Sequence, residues 1–289
     1  MRDAILVTGA TGFIGRRVVA ALRRTGARVL THSTENGDIA SDPIDVEGVE
    51  RVIHLAGKSF VPESWAAPRD FYRVNVLGTV NVLEFCRRRG VAITFVSSYV
   101  YGVPDSLPIA EDQPVRPLNP YSQSKIFAEE TVRYFGSQFG IPTVIVRPFN
   151  AYGAGQDERF LIPTLVRQAL DPQAREITVR DPRPRRDFVH VDDLVSLIEA
   201  TLSPAVSGVY NAGSGESVSI GQLVDEINAI VPAPKPVRAT GETRPEEVLD
   251  VVADISRARR ELGWTPRVAL RDGLRETVRW MQAHTMPVA

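Results

Sequence analysis

The stretch Ile5-Leu6-Val7-Thr8-Gly9-Ala10-Thr11-Gly12-Phe13-Ile14-Gly15 constrains the fold more than any other part of the chain. An apolar run breaks into three glycines spaced three apart, and the amphipathic Arg16-Arg17-Val18-Val19-Ala20-Ala21-Leu22 follows. That order specifies a strand, a tight turn and the start of a helix. Gly9 permits the turn, Gly12 lets backbone approach a pyrophosphate, and Gly15 allows close helix–strand packing. Thr11, Phe13 and Ile14 lie between them, where helix-N-terminal amides can hold the anion.

Apolar strand-like runs then alternate with helical patterns. Strands are expected at Ala4–Thr8, Arg28–Thr31, Val52–Leu55, Ala92–Ser97 and Thr143–Val146, and helices near 13–25, 68–89 and 121–138. Such alternation predicts right-handed crossovers and a buried parallel sheet. The stretch between Thr31 and Glu50 is short and polar, so one crossover should be abbreviated. Beyond Arg147 proline becomes frequent and the elements look shorter and mixed, with a last helix expected from about Leu270 to Ala283. The predicted fold class is α/β, a Rossmann-type doubly wound parallel sheet with a smaller mixed α/β C-terminal substrate lobe. The dinucleotide domain is expected over 1–150 plus about 187–212, and the substrate lobe over about 151–186 and 213–289.

The formal net charge of -1 removes the general electrostatic case for nucleic acid or an anionic membrane surface. No apolar stretch approaches the roughly 20 residues that span a bilayer. Nothing resembling a leader precedes the first strand, and Cys86 is the only cysteine, so a reducing, cytoplasmic setting is expected. Cys86 lies in a helical pattern and reads as a small buried hydrophobe.

Tyr121 and Lys125 stand four apart in Tyr121-Ser122-Gln123-Ser124-Lys125, just after Asn119-Pro120, and so share one face of a helix. A phenol ionises near pH 10, and a nearby ammonium favours its charged form, giving a proton donor and acceptor. Upstream, Phe95-Val96-Ser97-Ser98-Tyr99-Val100-Tyr101-Gly102 ends a strand in hydroxyl groups that can bond a substrate oxygen and orient Tyr121.

Together these residues resemble the extended short-chain dehydrogenase/reductase family of nucleotide-sugar epimerases, dehydratases and reductases. The resemblance extends over His54-Leu55-Ala56-Gly57, Asn75-Val76-Leu77-Gly78-Thr79 and Arg147-Pro148-Phe149-Asn150-Ala151-Tyr152-Gly153. It continues through Arg186-Asp187-Phe188-Val189-His190-Val191-Asp192-Asp193, Arg244-Pro245, Ala253-Asp254 and Leu262-Gly263-Trp264. It implies that Tyr121 is the catalytic acid/base, that Lys125 lowers its pKa and binds the nicotinamide ribose, and that Ser97 orients the substrate. It further implies that Asp38 and Ile39 contact the adenine, and that Leu55, Ala56, Gly57 and Lys58 lie beside the cofactor phosphates together with Asn75. Ser59, Ser98, Asn150, Arg186 and Arg244 then face the substrate, with Asn150 and the two arginines on its diphosphate, a task suited to a planar guanidinium. His190, Asp192 and Asp193 read as structural in such a family, so no metal is expected. Arg185 reads as a solvated surface residue and Trp264 as core.

The second strand of an NAD enzyme normally ends in an Asp or Glu on the adenosine ribose. Here Ser33 stands at that place, where His32, Thr34 and Arg16 could add donors, so NADP is favoured over NAD. Dehydratases of this family carry an Asp-Glu pair after the hydroxyl residue, whereas this chain has Ser98-Tyr99. Two reactions fit: an NADPH-dependent 4-keto-6-deoxysugar reductase, which is favoured, and an NAD-dependent nucleotide-sugar 4-epimerase. The substrate would be a UDP-, GDP- or dTDP-hexose. A non-catalytic NAD(P)-sensing protein would need none of Tyr121, Lys125 and Ser97, and an apolar ketone would leave Arg186 and Arg244 without a partner. The family usually forms homodimers through the helices near 68–89 and 121–138, where Phe71, Val74, Leu77, Val80, Phe127, Val132 and Phe135 offer apolar surface.

Overall fold

A computed structural model describes residues 4–242 and 247–284. The chain runs β1 (Ala4–Thr8), α1 (Phe13–Arg24), β2 (Val29–His32), β3 (Val49–His54), α2 (Val61–Ala66), α3 (Pro68–Tyr72), a π-helical turn (Arg73–Leu77), α4 (Gly78–Arg89), β4 (Ala92–Val96), α5 (Pro120–Phe139) and β5 (Thr143–Pro148). It continues as β6 (Asn150–Tyr152), α6 (Leu161–Leu170), β7 (Ile177–Val179), β8 (Arg185–Arg186), β9 (Phe188–His190), α7 (Val191–Ala200) and β10 (Gly208–Ala212). Last come β11 (Val218–Ser219), α8 (Ile220–Asn228), β12 (Val237–Ala239), α9 (Ser256–Leu262) and α10 (Leu270–His284).

Six parallel strands form the sheet, in the order β10-β5-β4-β3-β1-β2. The whole of β1 and of β4 is buried, as expected of strands covered on both faces. Helices α1 and α7 pack Val18, Leu22, Leu194 and Ile198 against one face. Helices α4 and α5 pack Val82, Phe85, Ala128 and Val132 against the other. Each such fully buried side chain contributes about 1.5–3 kcal/mol of transfer free energy. No helix lies between β2 and β3, so that crossover is abbreviated as expected. The strand order reverses at β1, and the loops after β1, β3 and β4 meet at the crevice where such sheets bind ligands.

A separate apolar cluster joins α6, α8 and α10 through Leu165, Val166, Leu223, Ile227, Leu274 and Val278. The short pairs β6–β9, β7–β12 and the antiparallel β8–β11 surround it. Trp264 is buried, its indole donating to Ser196 Oγ at 2.8 Å, and Cys86 is buried with its thiol pushed up to about 12 by desolvation.

Two expectations need correction. The helical pattern over 68–89 is three segments, because Pro68 opens α3 and the π-helical turn shifts the register before α4. Within the apolar residues assigned to a dimer surface, Phe71, Val132 and Phe135 are core, while Leu77 and Phe127 are exposed, joined by Tyr134. Periodicity identifies an apolar stripe but not which stripe the sheet covers. Among the described residues, no helix is long and apolar enough to cross a membrane.

Candidate active site

The glycine turn is built on contacts that side chains would prevent. Gly9 has φ +67°, and a Cβ there would lie 2.6 Å from the Ala56 nitrogen. One at Gly15 would lie 2.1 Å from the Gly9 carbonyl oxygen, and one at Gly12 3.2 Å from the same oxygen. Gly12 begins α1 with extended backbone and caps it with no side chain, leaving the first-turn amides of Phe13 and Ile14 open to an anion. Thr11 is exposed at the tip of this turn. The cradle fits a dinucleotide pyrophosphate.

Beneath it runs a buried hydrogen-bond chain. Leu55 and Ala56 amides donate to Thr8 Oγ1 at 3.3 Å, and Thr8 Oγ1 meets His54 Nδ1 at 2.7 Å. His54 Nε2 meets Thr79 Oγ1 at 3.1 Å, and Thr79 donates to the Asn75 carbonyl at 2.6 Å. Because the Thr79 hydroxyl donates onward, it accepts from Nε2–H, which fixes the neutral tautomer with Nδ1 accepting from Thr8. Burial, with Lys125 and His32 nearby, pulls the His54 pKa down to about 3, consistent with that neutral form. The Asn75 side chain accepts from the Lys58 amide at 2.8 Å and donates to Ser124 Oγ at 2.9 Å, and Ser124 donates to the Tyr121 carbonyl at 2.7 Å. The π-helical turn therefore ties the Gly57–Lys58 loop to the helix carrying Tyr121. Gly57 is required there, since a Cβ would lie 2.9 Å from Asn75 Oδ1.

At the adenine side, Asp38 is paired with Arg73 and accepts from the Ala40 amide at 2.9 Å, and Ile39 is buried. Ser33 directly follows β2, is buried, and its amide donates to Asn36 Oδ1 at 3.0 Å, with its hydroxyl 3.3 Å from the same oxygen. Arg16, read as a donor for a 2′-phosphate, instead bonds the Gly155 carbonyl. Lys58 Nζ pairs with Glu63 at 2.6 Å beside Ser59.

Helix α5 starts with a capping box between Asn119 and Ser122 and with Pro120 in its first turn, which sets the helix start just ahead of Tyr121. Tyr121 packs edge-on against Phe71, with ring centroids 6.2 Å apart. Burial raises the phenol pKa, and the nearby Ser98 hydroxyl opposes that rise. Lys125 is buried; its ammonium donates to the Val96 carbonyl at 2.8 Å and lies over the face of Phe95, 4.4 Å from the ring centroid. Burial lowers its pKa to about 8, with Glu129 opposing. The Ser98 hydroxyl lies near the phenol, while its direct hydrogen bond is to the Tyr99 carbonyl at 3.5 Å. Ser97 Oγ is buried without a partner at hydrogen-bond distance, and favours the ionised form of nearby Glu129. Tyr99 stands where dehydratases carry an acid, packed against Phe149 with its hydroxyl donating to the Gly102 carbonyl at 2.5 Å.

Asp187 organises the residues expected at the substrate. Its carboxylate accepts from the Ser214 amide (2.6 Å) and hydroxyl (2.7 Å), the Gly215 amide (3.0 Å) and the Ala253 amide (3.0 Å). Asn150 donates from its side chain to the Asp187 carbonyl at 2.9 Å. Arg186 is half-buried, paired with Glu247 and bonded to the Val248 carbonyl at 2.6 Å. Its charge opposes the burial-driven rise at the Tyr99 phenol, so it lies within electrostatic reach of the loop that follows Ser98. Arg185 keeps its side chain 39% exposed while it bonds Ser217 and Gln222 (3.0 Å) and pairs with Asp250 (3.5 Å). Arg244 lies outside the described residues.

His190, Asp192 and Glu276 cluster as ligands could, yet Arg17 already faces both carboxylates, at 3.4 Å and 4.0 Å. A cation would have to displace that guanidinium. Asp193 accepts backbone amides of Arg267 and Val268 at 2.9 and 3.0 Å, a structural use.

Residues 5–213 match the NAD dependent epimerase/dehydratase family. The chain belongs to that family. Its members of this type are extended short-chain dehydrogenases/reductases, enzymes acting on nucleotide sugars with NAD or NADP. The chain is 31% identical to a UDP-glucose 4-epimerase of Azospirillum brasilense, over 96% of this chain and 91% of the relative. It is 32% identical to a GDP-6-deoxy-D-mannose reductase of Pseudomonas aeruginosa, over 95% of this chain and 96% of that one. The solved structure of RMD from Pseudomonas aeruginosa with NADPH superposes with a TM-score of 0.88 at 29% identity, covering 97% of this chain and 99% of that chain.

Within this family member, sequence reasoning left Ser124, Glu129 and Arg147 without a role. The signal for Glu129 was its place one helical turn beyond Lys125.

Proposed function

We propose that the protein transfers a hydride at C4 of a nucleotide-activated hexose, and that it reduces a 4-keto-6-deoxy sugar with NADPH. The observation that carries this reading is Tyr121, set by the α5 capping box four residues before buried Lys125, with the Ser98 hydroxyl near its phenol and burial raising its pKa. Such a phenol is protonated at neutral pH, the form that gives a proton. The bound nicotinamide supplies the hydride. Tyr121 gives its proton to the C4 oxygen, so that ketone, hydride and proton make the alcohol. Ser97 orients that oxygen with Ser98 beside it, and Lys125 holds a positive charge on the helix face where the phenolate forms. Arg186, Arg244 and Asn150 hold the UDP, GDP or dTDP diphosphate. Ser33 in place of an acid leaves nothing to repel a 2′-phosphate.

A 4-epimerase using NAD is the second reading, supported by the engagement of Arg16 with Gly155 and of Ser33 with Asn36. Incubating the purified protein with NADPH or NADH and each 4-keto-6-deoxyhexose nucleotide should add two hydrogens to one of them by mass spectrometry. A retained NAD that interconverts C4 epimers with no net reduction would overturn the reductase in favour of the epimerase. We also infer a homodimer across Leu77, Phe127 and Tyr134; light scattering showing a monomer at micromolar concentration would refute it.

A further inference from the structure

Behind Lys125 lies a line of alternating charge that the hydride-transfer reading does not use. Glu129 is one helical turn further along α5 and 1% exposed. Its carboxylate accepts from Arg147 Nε at 2.9 Å and Nη2 at 2.7 Å, and from Arg133 Nη2 at 2.7 Å. Arg147, on β5, is itself 2% exposed and lies over the Tyr101 ring, 4.9 Å from its centroid. It also donates to Tyr101 Oη at 2.9 Å and to the Glu111 carbonyl at 3.1 Å. Tyr101 donates on to Asn211 Oδ1 of β10 at 2.6 Å. One guanidinium thus ties α5, which carries Tyr121 and Lys125, to the loop that carries Ser97 and Ser98.

Lys125 needs such support. The Val96 carbonyl and the Phe95 ring of β4 face its ammonium, with neutral His54 of β3 and Glu129, one turn along α5, within electrostatic reach. Glu129 is the one carboxylate among them, and a buried amine with no anion nearby tends toward its neutral form.

We propose that Glu129 and Arg147 are a positioning pair: Glu129 holds Lys125 as an ammonium, and Arg147 holds Glu129 ionised while fixing α5 against the Ser97–Ser98 loop. The catalytic meaning rests on the assignment of Tyr121 and Lys125 as the acid/base pair, but the test does not.

The chain has only three lysines, Lys58, Lys125 and Lys235, so protein labelled with 13Cε-lysine gives three resonances to titrate without any substrate. Subtracting the spectrum of Lys125→Arg assigns the buried one. Its midpoint should lie near 8 in the unaltered protein. It should fall by about one unit or more in Glu129→Gln, the size of a nearby opposite charge. Glu129→Asp should restore most of the shift. Glu129→Gln leaves Arg147 unpaired, so the double variant Glu129→Gln/Arg147→Gln guards against misfolding and should show a smaller fall in the same direction. A merely structural pair would lower the melting temperature and leave the Lys125 midpoint in place. An unchanged midpoint in either folded variant overturns the proposal, whereas failure of every nucleotide sugar to react would bear only on the assigned function.

Discussion

Glu129 and Asp187 are both carboxylates withdrawn from solvent, one on the buried face of α5 and one next in sequence to Arg186, yet they are answered differently. Glu129 is met by two guanidinium groups. Asp187 is met by three backbone amides and one hydroxyl, all neutral. Burial alone would raise the pKa of each. At Glu129 the Arg147 bonds and charge overcome burial, and the carboxyl sits below its ordinary 4.5. At Asp187 the neutral donors only reduce the rise, and the carboxyl sits above its ordinary 3.8. Charge partners make a buried carboxylate a fixed anion; dipoles alone make it a joint whose ionisation is costly. The catalytic side is thus held by charge and the substrate side by hydrogen bonds to loops.

The largest expected difference comes from removing the partner rather than the carboxylate. Arg147→Met strands Glu129 with only the half-exposed Arg133 and should cost about 3–5 kcal/mol in urea unfolding. Asp187→Ala leaves loop amides of which several can turn to water, and should cost about 2–3 kcal/mol. Equal losses would break the distinction between the two sites.

Acid unfolding sharpens it, because the signs are opposite. Glu129, with a depressed folded pKa, gives stability that is present above 4.5 and is lost as pH falls through its folded value. Asp187, with a raised folded pKa, loses stability as pH rises from 3.8 through its folded value, since the folded state binds the proton more tightly. Glu129→Gln should therefore flatten the fall in urea midpoint between about pH 5 and pH 3, and Asp187→Asn should steepen it. The same slope in both variants would contradict the assigned directions.

These features differ in how far a sequence can reveal them. The glycine turn and the Tyr121/Lys125 face are local, set by backbone geometry and a spacing of four, and both could be read directly. Glu129 stands at the same spacing, but a Lys–Glu pair four apart usually marks a solvated face; only Arg147, arriving on β5, makes it buried. Asp187 was visible within a motif, while its partners at 214, 215 and 253 come from distant loops. Where Ser97 and Ser98 point depends on how the backbone turns once β4 ends at Val96. Alternation gives no register beyond a strand's last paired residue.

On the proposed reaction Tyr121→Phe removes the proton donor and should lower kcat by about 10²–10⁴-fold with cofactor affinity retained, checked by steady-state kinetics and cofactor fluorescence.

Arg186→Ala tests the hydrogen-bonded side and should have the smaller effect. The guanidinium is paired with Glu247 and bonded to the Val248 carbonyl, so a diphosphate competes for a group that already has partners. The contribution to ground-state binding is then modest, and KM should rise about tenfold with kcat little changed, a loss of about 1.4 kcal/mol in uniform binding. Arg186→Lys keeps the charge but loses the planar fork, and should recover only part of that loss. Glu247→Gln should act in the opposite direction, lowering KM by freeing Arg186 from its carboxylate partner. If KM rose in Glu247→Gln as it does in Arg186→Ala, Glu247 would be positioning the arginine for the diphosphate rather than competing with it.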